Sequence, residues 1–267
     1  MKIIVFSDLH YFAGDIETAI FNTKRKLVSY ALPMLDKLTE KINSEDASTI
    51  AVCLGDLIQD TTEHDGDIEA LKFISERLKA IKRPFYTLLG NHDLKMMNSV
   101  GEVEEIIGRK TTFSIDAGGW HLVFLTTEVR CELGTERGGC YKAQYLSDEH
   151  ITWLREDLEK TCLPSIIFTH YALAEDESIN DECMFMKNRV DVKKIIKDSG
   201  KVKAVVSGHQ HLTKYISEDG IDYYLVGSPI ADLEYKGEPD GAYAEIELIG
   251  EDLKLTNKRI ACDELGI

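Results

Sequence analysis

Five short apolar runs, each breaking off at a polar cluster rich in Asp, Asn or His, constrain the fold of this chain more than any other feature. Ile3-Ile4-Val5-Phe6 ends at Ser7-Asp8-Leu9-His10, and Ile50-Ala51-Val52-Cys53-Leu54 ends at Gly55-Asp56. Phe85-Tyr86-Thr87-Leu88-Leu89 ends at Gly90-Asn91-His92-Asp93. Ile166-Ile167-Phe168 runs into Thr169-His170, and Val202-Lys203-Ala204-Val205-Val206 into Ser207-Gly208-His209-Gln210-His211. Runs this short, nearly continuous and rich in β-branched residues match strands buried on both faces.

Helical spacing fills the gaps. Leu27, Ala31, Met34, Leu35 and Leu38 predict a helix within 16–42, which Pro33 should kink or divide. Ile68, Leu71, Ile74, Leu78 and Ile81 predict a second, and Ser147 is a fitting N-cap for a third carrying Ile151, Leu154 and Leu158. A fourth covers 190–197, and alternating patterns at 111–115, 121–125, 223–226, 243–248 and 253–258 predict further strands. The fold class is α/β. Ligands of such sheets bind beyond the carboxyl ends of strands, so the five clusters are placed to converge although they span residues 8 to 211.

With no linker-like or repeated stretch, residues 1–267 are expected to form a single domain. A formal charge of −16 disfavours nucleic acid and anionic membranes as partners, since both call for clustered Lys and Arg. It also obliges any phosphate site to carry its own positive charge, which bound metal would supply. The opening apolar run is too short for a signal-peptide core, and no run reaches the length of a membrane span. A cytoplasmic location is therefore expected, with the six scattered cysteines reduced and Cys53 a buried small hydrophobe.

Asp8, His10, Asp56, Asn91, His170, His209 and His211 form a candidate ligand set of four His, two Asp and one Asn. Imidazole and carboxylate with an open position are what a water-activating metal needs, and this number suits two ions if one carboxylate bridges. Mn, Fe, Zn or Co would each fit such donors. Two divalent ions against two carboxylates and a hydroxide leave about one net positive charge for an anionic ester.

Asp8-x-His10, Gly55-Asp56, Gly90-Asn91-His92-Asp93, Thr169-His170 and Gly208-His209-x-His211 resemble, in order, the five blocks of the calcineurin-like metallophosphoesterases. An accidental Gly-Asn-His-Asp alone has odds on the order of one in a thousand in a chain this long. Within that superfamily the chain is most similar to the cyclic-nucleotide and glycerophosphodiester phosphodiesterase branch. The resemblance implies a four-layer α/β/β/α sandwich with two metals at one edge. One would be held by Asp8, His10, Asp56 and His211, the other by Asp56, Asn91, His170 and His209. His92 would contact the phosphate and protonate the leaving oxygen, with Asp93 orienting it. A hydroxide generated on the metals would attack phosphorus in line.

A small phosphodiester is thus the expected substrate. A phosphomonoesterase or nucleotide pyrophosphatase on the same metal core is the nearest alternative. A nuclease lacks its basic strip here, and a catalytically dead scaffold would have lost ligands that this chain keeps. His64 is read as a solvated loop residue, His121 as structural and His150 as exposed on a first helical turn. Tyr171, where relatives carry another His or a Pro, is read as either pocket lining or packing. The irregular segments 130–145 and 172–187 are candidates for a cap over the site or a homo-oligomer contact.

Overall fold

The computed structural model describes residues 1–13, 25–61, 63–129, 144–176, 178–179 and 181–266. The chain opens with β1 (Lys2–Phe6), β2 (Arg25–Lys26), α1 (Ala31–Ser44), β3 (Ile50–Cys53), α2 (His64–Leu78) and β4 (Phe85–Thr87). The short α3 (Asn91–Leu94) and α4 (Val100–Ile107) lead into β5 (Phe113–Ala117), β6 (Trp120–Leu125) and β7 (Glu128–Val129). After β8 (Gln144–Tyr145) come α5 (Asp148–Lys160), β9 (Ser165–Thr169), α6 (Arg189–Ser199) and β10 (Val202–Ser207). The remaining strands are β11 (Lys214–Glu218), β12 (Ile221–Leu225), β13 (Ala231–Asp232), β14 (Ala242–Ile249) and β15 (Asp252–Arg259).

Two mixed sheets carry the architecture. One has the order β15-β14-β1-β3-β4, the other β11-β12-β10-β9-β6-β5. Side chains alternate across each strand, and the burial follows. Ile3 and Val5 of β1 face the second sheet, packing with Val52, Phe124, Ile166, Phe168 and Val206. Ile4 and Phe6 face the other way, onto Leu35 and Leu38 of α1 and Leu71 and Ile74 of α2. On the far side, Val123, Ile167 and Val205 meet Leu154 and Leu158 of α5 and Val192 and Ile196 of α6. Three apolar layers separate four structural layers, giving the expected α/β/β/α sandwich. Cys53 is fully buried, which pushes its thiol up.

Parallel pairing aligns the strand ends. Phe6 lies opposite Cys53, Cys53 opposite Thr87, Leu125 opposite Thr169, and Thr169 opposite Ser207. All five polar clusters therefore begin at neighbouring sheet edges.

Some local expectations need correction. Among the described residues of the helix expected within 16–42, only those from Ala31 onward are α-helical, in α1, because β2 and a 3-10 turn (Val28–Tyr30) precede it. Residues 14–24 lie outside those described. Pro33 neither kinks nor divides this helix. It occupies the first turn, where a backbone N–H would have no intrahelical acceptor. His64 opens α2 rather than sitting in a loop, and its ring meets Glu102 at 2.9 Å. Ser147 does cap α5, accepting from the His150 amide. His121 is structural, held between Asp116 and Asp157 at 2.7 and 2.9 Å. No helix among the described residues is long and apolar enough to cross a membrane.

Phe168 is fully buried between the sheets and stacks on Phe124 at 5.2 Å. Phe168→Ala should cost about 3–5 kcal/mol, read as a lower urea midpoint with unchanged slope. A loss under about 1 kcal/mol would contradict a tight inter-sheet core.

Candidate metal centre

Backbone hydrogen bonds stitch the clusters together before any side chain acts. The amides of Asp8 and His10 donate to the carbonyls of Gly55 and Asp56, both at 3.0 Å, and Gly208 donates to His170 at 3.0 Å. Side chains then tie the clusters to one another within and across the two sheets. The His209 amide donates to Asp8 Oδ2 at 3.0 Å, the His92 amide to Asp56 Oδ1 at 2.9 Å, and His170 Nδ1 to the Leu54 carbonyl at 2.9 Å.

The local backbone is unusual in the same places. Among the described residues, seven non-glycine residues have positive φ, and five of them are Asp8, His10, Asp56, His209 and His211, at 47° to 66°. Asp and His are among the side chains that tolerate this left-handed region best. Close approach also requires glycine. A Cβ on Gly90 would lie 2.1 Å from Asp56 Oδ1, and one on Gly208 would lie 2.0 Å from Ser7 Oγ.

The expected ligands converge. His10 Nε2 and His211 Nε2 are 2.9 Å apart, and Asp8 Oδ1 is 3.8 Å from the first and 3.3 Å from the second. Asp56 Oδ2 lies 3.7 Å from His10 Nε2 and 3.4 Å from His170 Nε2. Asp8, His10 and His211 form one group able to hold a cation, and Asp56, His170 and His209 another. His10, Asp56 and His92 form a third such group, with His92 Nε2 4.0 Å from Asp56 Oδ2. Asp56 thus stands between the first two groups, where a bridging carboxylate would have to be.

The donor set fits divalent metal on a test of hydrogen bonding. Asp8 Oδ1, Asp56 Oδ2, His170 Nε2 and both amide atoms of Asn91 are buried without a hydrogen-bond partner. Yet Asp8 Oδ2, Asp56 Oδ1 and His170 Nδ1 are each hydrogen-bonded on the outer side. Orphaned buried polar atoms are costly. Four of them, Asp8 Oδ1, Asp56 Oδ2, Asn91 Oδ1 and His170 Nε2, are atoms a cation would use, while the outer-side partners of Asp8, Asp56 and His170 fix orientation and tautomer.

Charge states agree. Burial opposes the charge on Asp56, yet His170, His92 and His10 hold the carboxyl well below the usual range. Burial likewise opposes the charge on Asp8, and His211 and His170 keep it lowered. Burial pulls His209 down to about 3 and also lowers His10. His170 is the exception: burial opposes its charge, but Asp56, with Asp8 and Asp93, raises it to about 9. Ionised carboxylates among mostly neutral imidazoles are the state a metal binds.

One expected role moves to a different residue. Asp93 does not orient His92. Its carboxylate accepts from the amides of Leu57, Ile58 and Gly90 at 2.8, 3.1 and 2.9 Å. At the third position of α3 it reaches back toward the helix start, away from the ring of the preceding residue. Burial and the nearby Asp56 push it up to about 7. The carboxylate that meets His92 Nδ1 is Asp60, itself paired with Lys95 at 2.7 Å. Burial and then Lys26 lower His92, against Asp56 and Asp60.

Three residues at the site carried no recognised signal. Asp60 and Gln59 follow the Gly-Asp cluster closely, so a window four residues past Asp56 would have found them. Lys26 falls within the helix that apolar spacing predicts over 16–42. Its half-buried amine lies 3.0 Å from His92 Nε2, 3.2 Å from Gln59 Oε1 and 3.4 Å from His10 Nδ1. Burial pulls it down to about 8 against Asp56, Asp8 and Asp60. Tyr171 proves to be packing: it is buried, and its ring lies 4.1 Å from that of His209.

Of the two irregular segments, 130–143 lies outside the described residues. The other closes against the fifth cluster. A 3-10 turn at Glu182–Met184 brings the Cys183 carbonyl to His209 Nε2 and the Met184 carbonyl to Gln210 Nε2, both at 3.1 Å.

Comparison with known proteins agrees with this geometry. A protein of Xenorhabdus bovienii named a probable cyclic nucleotide phosphodiesterase is 23% identical over 155 residues, covering 55% of this chain and 57% of that protein. One of the same description from a Psychrobacter species is 22% identical over 202 residues, covering 72% of this chain and 55% of that protein. The chain therefore spans little more than half the length of either relative. A dimetal phosphatase from Danio rerio superposes with a TM-score of 0.75 at 16% identity, covering 97% of this chain and 96% of that one, a likeness of fold. The family model described as calcineurin-like phosphoesterase matches residues 1–212, from β1 through all five clusters, and the chain belongs to that family.

Proposed function

We propose that this protein hydrolyses a small phosphodiester, of the cyclic nucleotide or glycerophosphodiester type, at a pair of divalent or transition-metal ions. The observation that carries this reading is the convergence of buried Asp and His ligand atoms on Asp56, with Asp8 Oδ1, Asp56 Oδ2, Asn91 Oδ1 and His170 Nε2 lacking hydrogen-bond partners. Asp8, His10, Asp56 and His211 would hold one ion, and Asp56, Asn91, His170 and His209 the other. Bound there, the ions supply acidified water and neutralise charge at the phosphoryl group.

The remaining steps belong to the chain. His92 faces the site with Nε2 while Nδ1 donates to Asp60. That contact fixes the ring and stabilises its charged form, so Nε2 can deliver a proton to the departing oxygen. Lys95 neutralises the outer oxygen of Asp60 and keeps the carboxylate in place. Asp93 acts through the backbone, holding the chain after Asp56 against the start of α3. The probable cyclic nucleotide phosphodiesterases to which the chain is similar support the choice of a diester.

A substrate panel on metal-loaded protein tests the proposal. Bis-(4-nitrophenyl) phosphate and cyclic nucleotides should be turned over in clear preference to 4-nitrophenyl phosphate. Little diester turnover beside brisk monoester turnover would show a phosphomonoesterase instead. Asp56→Ala should abolish activity and lose metal by elemental analysis. His92→Ala should keep its metal and lose about 10²–10⁴ in rate. Asp60→Asn should also keep metal and slow turnover roughly 10–100-fold. Wild-type rates in Asp60→Asn would remove Asp60 from the proton-handling pair.

A further inference from the structure

Lys26 is built into the site by a chain of contacts. β2 pairs with β13, Lys26 opposite Ala231, and the Leu27 amide donates to the Ile230 carbonyl at 2.9 Å. The Ile230 amide donates to Ser228 Oγ at 3.3 Å, and that hydroxyl donates to the Asp8 carbonyl at 2.8 Å. The strand bearing Lys26 is thereby registered against the first cluster.

The amine also stands outside the cation cage. His10 Nε2 faces Asp8, Asp56 and His211, whereas Lys26 approaches the opposite ring nitrogen, Nδ1. With Nε2 given to a metal, a neutral His10 carries its proton on Nδ1 and no longer accepts from the amine. Lys26 then keeps Gln59 Oε1 at 3.2 Å, and its 3.0 Å contact with His92 Nε2 lasts only while that nitrogen is unprotonated, so a His92 charged for proton delivery releases the amine as well. His92 Nε2 is the atom the proposed chemistry aims at the leaving group. An ammonium beside that nitrogen is placed to donate to an oxygen on the same phosphorus.

We propose that Lys26 is a substrate-binding residue whose ammonium donates to an oxygen of the scissile phosphoryl group alongside His92. This deepens the phosphoesterase reading and rests on it. It adds a positive charge beside His92 in a chain whose overall charge is −16.

Inorganic phosphate is the probe, titrated calorimetrically into manganese-loaded protein. Lys26→Met should keep two metals per chain and bind phosphate roughly tenfold to a hundredfold more weakly, as expected for loss of a charged hydrogen bond. Lys26→Arg should regain part of that affinity. Lys26→Gln repeats the comparison if the methionine variant folds poorly. Phosphate affinity equal to wild type, loss of metal from the folded variants, or no phosphate binding by the wild type would each overturn the proposal. Lys26-dependent phosphate binding without turnover of any diester would sink the phosphodiesterase reading and leave the Lys26 assignment standing.

Discussion

The division of labour between the two oxygens of Asp56 is the constraint on which the rest of the site depends. Oδ1 is committed to the His92 amide, and Oδ2 stands between His10 and His170. That split requires the third cluster to press against the second with no side chain intervening, which only a glycine at position 90 permits. It also requires the chain after β3 to turn left-handed immediately, as Asp56 does at a φ of 52°. A carboxylate in an ordinary extended conformation would leave the strand end facing elsewhere.

Left-handed backbone is disfavoured for L-residues by about 1–2 kcal/mol each, reduced for Asp and His. Five such residues at one rim, with buried donor atoms lacking partners, concentrate strain there among the described residues. The three apolar layers behind it offset that cost. They are made from the same runs that lead into the clusters, so the residues giving stability and those under strain are neighbours in sequence. Local strain of this kind concentrates where structure is held for chemistry.

Much of this was legible in the sequence because burial and ligation both leave periodic traces. Runs such as Ile3-Ile4-Val5-Phe6 announce two-sided burial, and the abrupt change to Ser7-Asp8 announces a strand end. The five clusters accordingly meet where expected. What failed was contact between residues without a shared pattern. Lys26 reaches His92 through a two-residue strand pairing, and no periodicity marks a strand that short. Asp93 and Asp60 are both acidic residues close to a cluster, and only coordinates show which one meets the imidazole. The helix expected across 16–42 takes in Arg25 and Lys26, whose backbone instead pairs with β13.

The donors divide by sheet. Asp8, His10, Asp56 and Asn91 extend from the strand ends of the first sheet, and His170, His209 and His211 from those of the second. The cage therefore sits across a seam between two leaves that elsewhere meet through aliphatic and aromatic side chains. A cation gripped from both sides would act as a rivet, converting sliding or hinging of one leaf on the other into a change of coordination. The centre would thus be a mechanical fastener of the sandwich as well as a chemical one, and neither leaf alone supplies a complete set of donors.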